Sequence, residues 1–490
     1  MNAALLVIGL ATLGALALGL AAHRGVRMTL EQWTVAGRGF GGLLVFLLTA
    51  GEIYTTFTFL GGSGWAYGRG APTFYILAYG SLAYFMSYWL LPPIWRYAKR
   101  ERLLSQPHFF SRKYDSPWLG VLVAAVGVVA LLPYLVLQFQ GLGIIVSIAS
   151  YGSISPTVAI WIGAATVTIY VMISGMHGVA WNAAVKDALI LVVVVFLGVY
   201  LPVHYYGGFS EMFRAIDAAK PGFLVFKPTG QSVVWFQSTV LLTALGFFMW
   251  PQMFSAVLTS KREQTFRRNA ALLPLYQLIL LFAFFCGFAA ILQVPGLTGT
   301  QADQALLRLS VQTFDPWFVG VIGAAGVMTA LVPGSIILVS AATLLANDVL
   351  RPLRPELSDA TIALTMRGLV PLIALLAVYF TLNNPPTLVA LLLMGYAFIT
   401  QLFPAVLCSL LPRNPMTKYG AAAGIVVGVV GVAFVTESKI GFADMLPFLP
   451  ARVGDVNVGF AALILNVVAA MLVSQATRPA PVAAASAPSS

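Results

Sequence analysis

Glu52 stands inside a long apolar run, Leu48-Thr49-Ala50-Gly51-Glu52-Ile53-Tyr54-Thr55-Thr56, with a glycine before it and hydroxyls on both sides. A charge at the centre of a bilayer costs at least ~2.5 kcal/mol, so a carboxylate kept there marks an ion or proton pathway. Desolvation disfavours its ionised form, which suits a group that takes up and releases a proton. The plainer reading is a protonated carboxyl held by hydrogen bonds inside a bundle. A second interruption, Leu245-Gly246-Phe247-Phe248-Met249-Trp250-Pro251-Gln252, puts Gly and Pro together in another apolar run. Tyr134, Gln138 and Gln140 add polar groups to a third. Taken one at a time, the glutamines read as interhelical hydrogen bonds and Trp250 as packing.

Other chemistry finds little support. The sequence has no phosphate-binding GxxxxGK[ST] loop for ATP-driven work and no His or Cys cluster for a metalloenzyme, so no cofactor or metal is expected. Cys286 and Cys408 fall in different apolar runs and read as small buried residues rather than a disulfide. His177 reads as an exposed or hydrogen-bonded histidine at an inner loop. Lys186 and Asp187 are neighbours, and on a helix neighbours diverge rather than pair, which leaves Asp187 free to face an inner vestibule.

The elements that must position these groups follow from composition. The 490 residues are 59% hydrophobic and 9% charged, with a mean hydropathy of +0.90. A soluble domain carries roughly 25% charged residues, and no water-soluble fold buries this much apolar surface. Runs of ~20 apolar residues give about thirteen membrane helices, near 3–22, 40–67, 73–95, 118–150, 155–173, 181–203, 232–257, 270–293, 316–346, 367–383, 386–411, 419–436 and 457–475. The first lacks a basic start and is long for a signal peptide, so it reads as retained.

The net charge of +11 reports topology rather than nucleic-acid binding. Nineteen of the 27 Lys and Arg fall in alternate loops on one side, among them Arg96, Lys99, Arg100, Lys261, Arg262 and Arg351, against seven on the other. The positive-inside rule makes the rich side cytoplasmic, with the N-terminus outside and the C-terminus inside a cell inner membrane. Segment 477–490, rich in Ala, Pro and Ser, is expected to be disordered.

Backbone leaves helical geometry at membrane depth only where it lines a cavity or packs against protein. The two interruptions each open a group of five spans, the pattern of an inverted repeat whose broken helices meet at a binding site. The alternative is two unrelated kinks. The expected organisation is an extra helix and inner loop at 1–39, a first five-helix repeat at 40–206, an outer loop at 207–231, a second repeat at 232–411, two extra helices at 412–476, and the tail. The fold class is thus an all-α membrane protein.

Along most of its length the sequence resembles the sodium:solute symporter family, and within it the bacterial monocarboxylate permeases. The resemblance rests on Trp33-Thr34-Val35-Ala36-Gly37-Arg38, the run from Gly51 to Phe59, Leu132-Pro133-Tyr134 with Gln138, Ser174-Gly175-Met176 with Lys186-Asp187, and the run from Arg267 to Pro274. It implies a five-plus-five core working by alternating access and puts Thr56 at a solute-contacting position. In sodium-coupled relatives two adjacent hydroxyl residues, counted back from Asp348, help backbone carbonyls hold the ion. Here those places are Val332 and Pro333, which offer no side-chain oxygen, although Ser335 follows. The acidic position after Trp181-Asn182 is likewise replaced, by Ala183.

The expected solute is a small monocarboxylate. The N-H groups that begin the outer half of the broken span, near Tyr54 to Thr56, attract an anion. Tyr54, Thr55, Thr56, Tyr134, Gln138, Gln140, Trp250 and Gln252 are the expected solute-binding residues, and Thr49, Glu52 and Ser335 the ion-coupling ones. Proton coupling is expected, with sodium as the alternative if Glu52 ligates the ion alongside Ser335. The partners expected are the solute and the lipid bilayer, with no nucleic acid and no obligate protein partner. A solute sensor would need a signalling domain, and a channel an unbroken polar path.

Overall fold

The computed structural model describes residues 2–23, 30–383, 385–438 and 453–478. The tail from 479 onward, and the basic residues Arg24, Arg27, Lys439 and Arg452, lie outside the described residues, as does the side chain of His177.

Among the described residues there is no strand, and there are 21 α-helices. They are α1 (Ala3–His23), α2 (Leu30–Val35), α3 (Gly42–Gly51), α4 (Ser63–Arg69), α5 (Tyr75–Arg100), α6 (Gln106–Lys113), α7 (Pro117–Ala149) and α8 (Pro156–Tyr206). Then come α9 (Phe209–Ala219), α10 (Val233–Gly246), α11 (Pro251–Leu258), α12 (Gln264–Gln277), α13 (Leu280–Gln293), α14 (Ala305–Thr313) and α15 (Pro316–Thr343). The last are α16 (Arg351–Leu353), α17 (Asp359–Leu382), α18 (Leu388–Ile399), α19 (Phe403–Ser409), α20 (Lys418–Ser438) and α21 (Val458–Ala476).

Nine of the described helical stretches are long and apolar enough to cross a membrane, and the bent pair α10 and α11 makes a tenth. The other three expected spans appear as shorter apolar helices, Ala3–Gly19, Gly42–Gly51 and Pro156–Met172. Large apolar side chains such as Leu43, Trp89, Val192 and Leu372 stay exposed, as a lipid-facing surface requires.

The spans expected over 155–173 and 181–203 form one element, α8, of 51 residues. Asn182 donates its side-chain N-H to the Tyr170 hydroxyl at 2.7 Å, whereas twelve residues of straight helix would hold them about 18 Å apart. The element therefore bends between them. The ninth expected span also runs on. Helical turns continue to Leu353, so Asn347 and Asp348 are buried rather than placed in an inner loop. Asp348 accepts from Ser105 at 2.8 Å and from Asn347 at 2.9 Å, partners that make the burial of its carboxylate tolerable.

α15 is the central element, almost wholly buried and packed against α1, α7 and α8.

Candidate functional site

Two breaks meet the rest of the bundle in its core. α3 ends at Gly51, and helical geometry resumes at Phe57 as wide π-type turns through Gly62 before α4. Threonines cause the interruption by competing with the helical ladder for backbone groups. The Thr55 N-H turns to the Ile53 carbonyl at 3.0 Å and the Thr58 hydroxyl at 3.1 Å. The Phe57 N-H donates to the Thr55 hydroxyl at 3.2 Å, and the Thr58 hydroxyl donates to the Ile53 carbonyl at 2.7 Å. Of the N-H groups near Tyr54 to Thr56 expected to await an anion, that of Thr55 is thus engaged by neighbouring groups.

The second break has a different cause. Proline disfavours helical geometry in the residue before it, and Trp250 accordingly takes φ −60°, ψ 132° ahead of Pro251. α10 and α11 diverge by 49° across it.

Between the breaks lies a cavity lined by Glu52, Tyr134, Trp250 and Gln252, together with Phe57, Tyr79, Phe247, Met253, Leu392 and Tyr396. It measures about 10 Å³, the space of a single water-sized sphere. The Tyr134 and Tyr396 rings lie 5.1 Å and 5.3 Å from that of Trp250. A Cβ at Gly395 would run into the indole, so the glycine is what admits Trp250 there.

Glu52 is 8% exposed, and its nearest hydrogen-bond donor is the Gln252 amide at 3.5 Å. Its second oxygen has no partner among the described residues, and neither has the Gln252 carbonyl oxygen. Four of the eleven expected site residues therefore share one wall. The others are placed differently. Thr55 and Thr56 are fully buried behind it, and the Thr56 hydroxyl donates to the Gln138 carbonyl oxygen at 2.8 Å. Gln140 reaches the Pro386 carbonyl at 3.3 Å, and the Tyr54 hydroxyl the Tyr276 carbonyl at 3.0 Å. The Thr49 hydroxyl donates to the Val45 carbonyl at 2.7 Å, and the Ser335 hydroxyl to the Leu331 carbonyl at 2.6 Å.

One expectation is overturned. Lys186 and Asp187 do not diverge; the ammonium lies 3.2 Å from the Asp187 carboxylate. The Lys186 ammonium also donates to the carbonyls of Gly51 and Tyr54, the latter at 3.0 Å. A long flexible side chain overrides the helical angle when buried acceptors lie ahead of it. The signal in the sequence was a lone cation among apolar residues. Tyr79 and Tyr396, also missed, carried no signal that set them apart from the other tyrosines of the apolar helices.

A model of the sodium:solute symporter family matches residues 33–428. The chain is 60% identical to the uncharacterized symporter YhjB of Bacillus subtilis over 485 residues, 99% of each chain. It is 30% identical to the monocarboxylate transport permease protein of Rhizobium johnstonii, over 91% of this chain and 90% of that one. Its fold is similar to that of a Na+-coupled sialic acid symporter in a substrate-bound, outward-open state, with a TM-score of 0.79 at 16% identity over 98% of both chains.

Proposed function

The chain belongs to the sodium:solute symporter family, and from that premise we propose that it imports a small monocarboxylate, such as lactate, pyruvate or a short-chain acid, together with protons. Glu52 carries the reading. It is a buried carboxylate on a cavity wall, with one oxygen unpartnered among the described residues and the other in only a long contact with an amide. A group so placed is held more readily with a proton than without one, and it exchanges that proton when the cavity opens to either side.

Among the described residues no arginine lines the cavity, so the solute carboxylate is held by neutral donors. Tyr79, Tyr134, Tyr396 and the Gln252 amide supply them, and Trp250 forms a wall. Affinity is then modest, because the bidentate charged clamp that makes carboxylate binding strong is missing. A cavity of about 10 Å³ holds no monocarboxylate, so the bundle must open around the breaks for the solute to enter, in the manner of alternating access. The monocarboxylate class is supported by the name of the Rhizobium relative.

We place the chain in the cell inner membrane with thirteen crossings, its N-terminus outside, and a five-plus-five inverted repeat over 40–206 and 232–411. A sodium-coupled symporter of another small organic solute is the second reading, favoured by the Na+ coupling named for the structural neighbour.

Uptake into proteoliposomes tests the proposal. Labelled pyruvate, lactate or propionate should accumulate when an inward pH gradient is imposed and should continue when choline replaces sodium. Glu52→Gln should equilibrate solute without concentrating it. Strict sodium dependence with no response to the pH gradient would reject the reading.

A further inference from the structure

At the first break, backbone oxygens and a carboxylate converge on one buried positive charge. In a continuous helix the Thr55 N-H would serve the Gly51 carbonyl and the Thr58 N-H the Tyr54 carbonyl. Here Thr55 turns to Ile53 and Thr58 to Thr55, which releases both carbonyls at membrane depth. Unpartnered, each would cost several kcal/mol in lipid. The Lys186 ammonium, fully buried and more than 130 residues away in sequence, takes both. Apart from that ammonium, neither oxygen of Asp187 has a hydrogen-bond donor among the described residues.

Two carbonyls and a carboxylate form a hard oxygen set of the kind that holds small cations. A metal ion and the ammonium compete for the same lone pairs, and the ammonium is covalently attached to the site. Sodium does not fit this cradle while Lys186 occupies it.

We infer that Lys186 is a tethered cation that fills the oxygen cradle of the first break, so that no sodium ion binds there in the wild-type protein. Removal of the amine turns the cradle into a site for a small monovalent cation. The inference rests on the transport reading only in taking the break to belong to the working site. It assigns the fixed charge to Lys186, separate from the proton that Glu52 is proposed to carry.

The test needs no transport, so its failure is distinct from a failure of proton coupling. The unfolding midpoint of the purified protein is measured in sodium chloride and in choline chloride of equal ionic strength. The wild type should unfold at the same temperature in both. Lys186→Ala should unfold earlier in choline and recover by several degrees in sodium or in ethylammonium, whose amine end reproduces the one removed, because a ligand that binds only the folded state stabilises it by mass action. Lys186→Ala strands the Asp187 carboxylate, so Lys186→Ala/Asp187→Asn is measured beside it; this pair should fold and respond to cations more weakly. Sodium-specific stabilisation of the wild type overturns the inference. So does a Lys186→Ala protein that folds and answers neither cation. If Lys186→Ala yields no folded protein in any salt, the wild-type comparison decides by itself.

Discussion

The Thr56 hydroxyl donates to the side-chain carbonyl of Gln138 at 2.8 Å, joining the break after α3 to α7 across 82 residues of sequence. The helices approach closely enough for this only because residue 141 is a glycine, where a Cβ would lie 2.6 Å from the Thr56 side chain. Thr56 is thus a bond that holds the break in place, beside whatever it contributes to solute recognition.

Thr56→Val keeps the volume and deletes the donor. It leaves the Gln138 oxygen unpaired next to an amide nitrogen that already lacks a partner among the described residues, at a cost of about 1 to 3 kcal/mol. The thermal midpoint should fall, and solute affinity should weaken about tenfold because the break behind the cavity wall loses its tie to α7. Adding Gln138→Leu removes the stranded group, so Thr56→Val/Gln138→Leu should regain stability without regaining affinity. Unfolding and equilibrium binding measured on the three variants separate the two roles; an unchanged affinity in Thr56→Val removes Thr56 from solute recognition.

Trp250 packs between Tyr134 and Tyr396 and is 2% exposed. Truncation to alanine would cost about 3 to 5 kcal/mol and endanger folding. Trp250→Phe removes one ring and enlarges the cavity. Competition assays with acids of increasing chain length should then shift toward the longer ones, with butyrate gaining on propionate. The same order of preference in wild type and variant would exclude Trp250 as a wall of the solute cavity.

Asp303, in the connection between α13 and α14, is fully buried, and its carboxyl is pushed up to about 7. Burial is the main cause, partly offset by the Leu388 N-H that donates to it at 3.0 Å. A carboxyl raised in the folded state binds more protons there than in the unfolded chain, so stability falls as pH rises between the ordinary aspartate range and about 7. The wild-type thermal midpoint should drop over that interval, and Asp303→Asn should flatten the drop. Equal slopes in the two proteins would show that Asp303 is not the titrating group.

Orientation is tested with single cysteines placed in a background lacking Cys286 and Cys408. Ala218→Cys in α9 should react with a membrane-impermeant maleimide added to intact cells, and Ser358→Cys only after permeabilisation. The opposite pattern would invert the proposed topology.

Both breaks were legible because their causes are local. Pro251 acts on Trp250 through one peptide bond, and the threonines around Glu52 act on backbone within five residues of themselves. The length of α8 was harder to read, because glycine and a histidine look like a loop whether or not helical hydrogen bonds run through them. The cavity wall was legible in part: Glu52, Trp250 and Gln252 interrupt apolar runs, and Tyr134 stands beside a proline. Tyr79 and Tyr396 interrupt nothing, since a tyrosine is at home in an apolar helix whether it faces a cavity or another ring.

The sequence by itself determined that the chain lives in a membrane, where its helices break and which family it joins, because composition, proline, glycine and threonine act over short distances and motifs are read in order. Only the tertiary structure decided what the charges do. Lys186 and Asp187 look like neighbours that part on a helix, yet the Lys186 ammonium reaches carbonyls released 132 and 135 residues earlier and pairs with Asp187 beside them. A buried ammonium goes to whichever acceptors the fold leaves unpaired, and which acceptors those are is settled when α3 breaks and packs against α8.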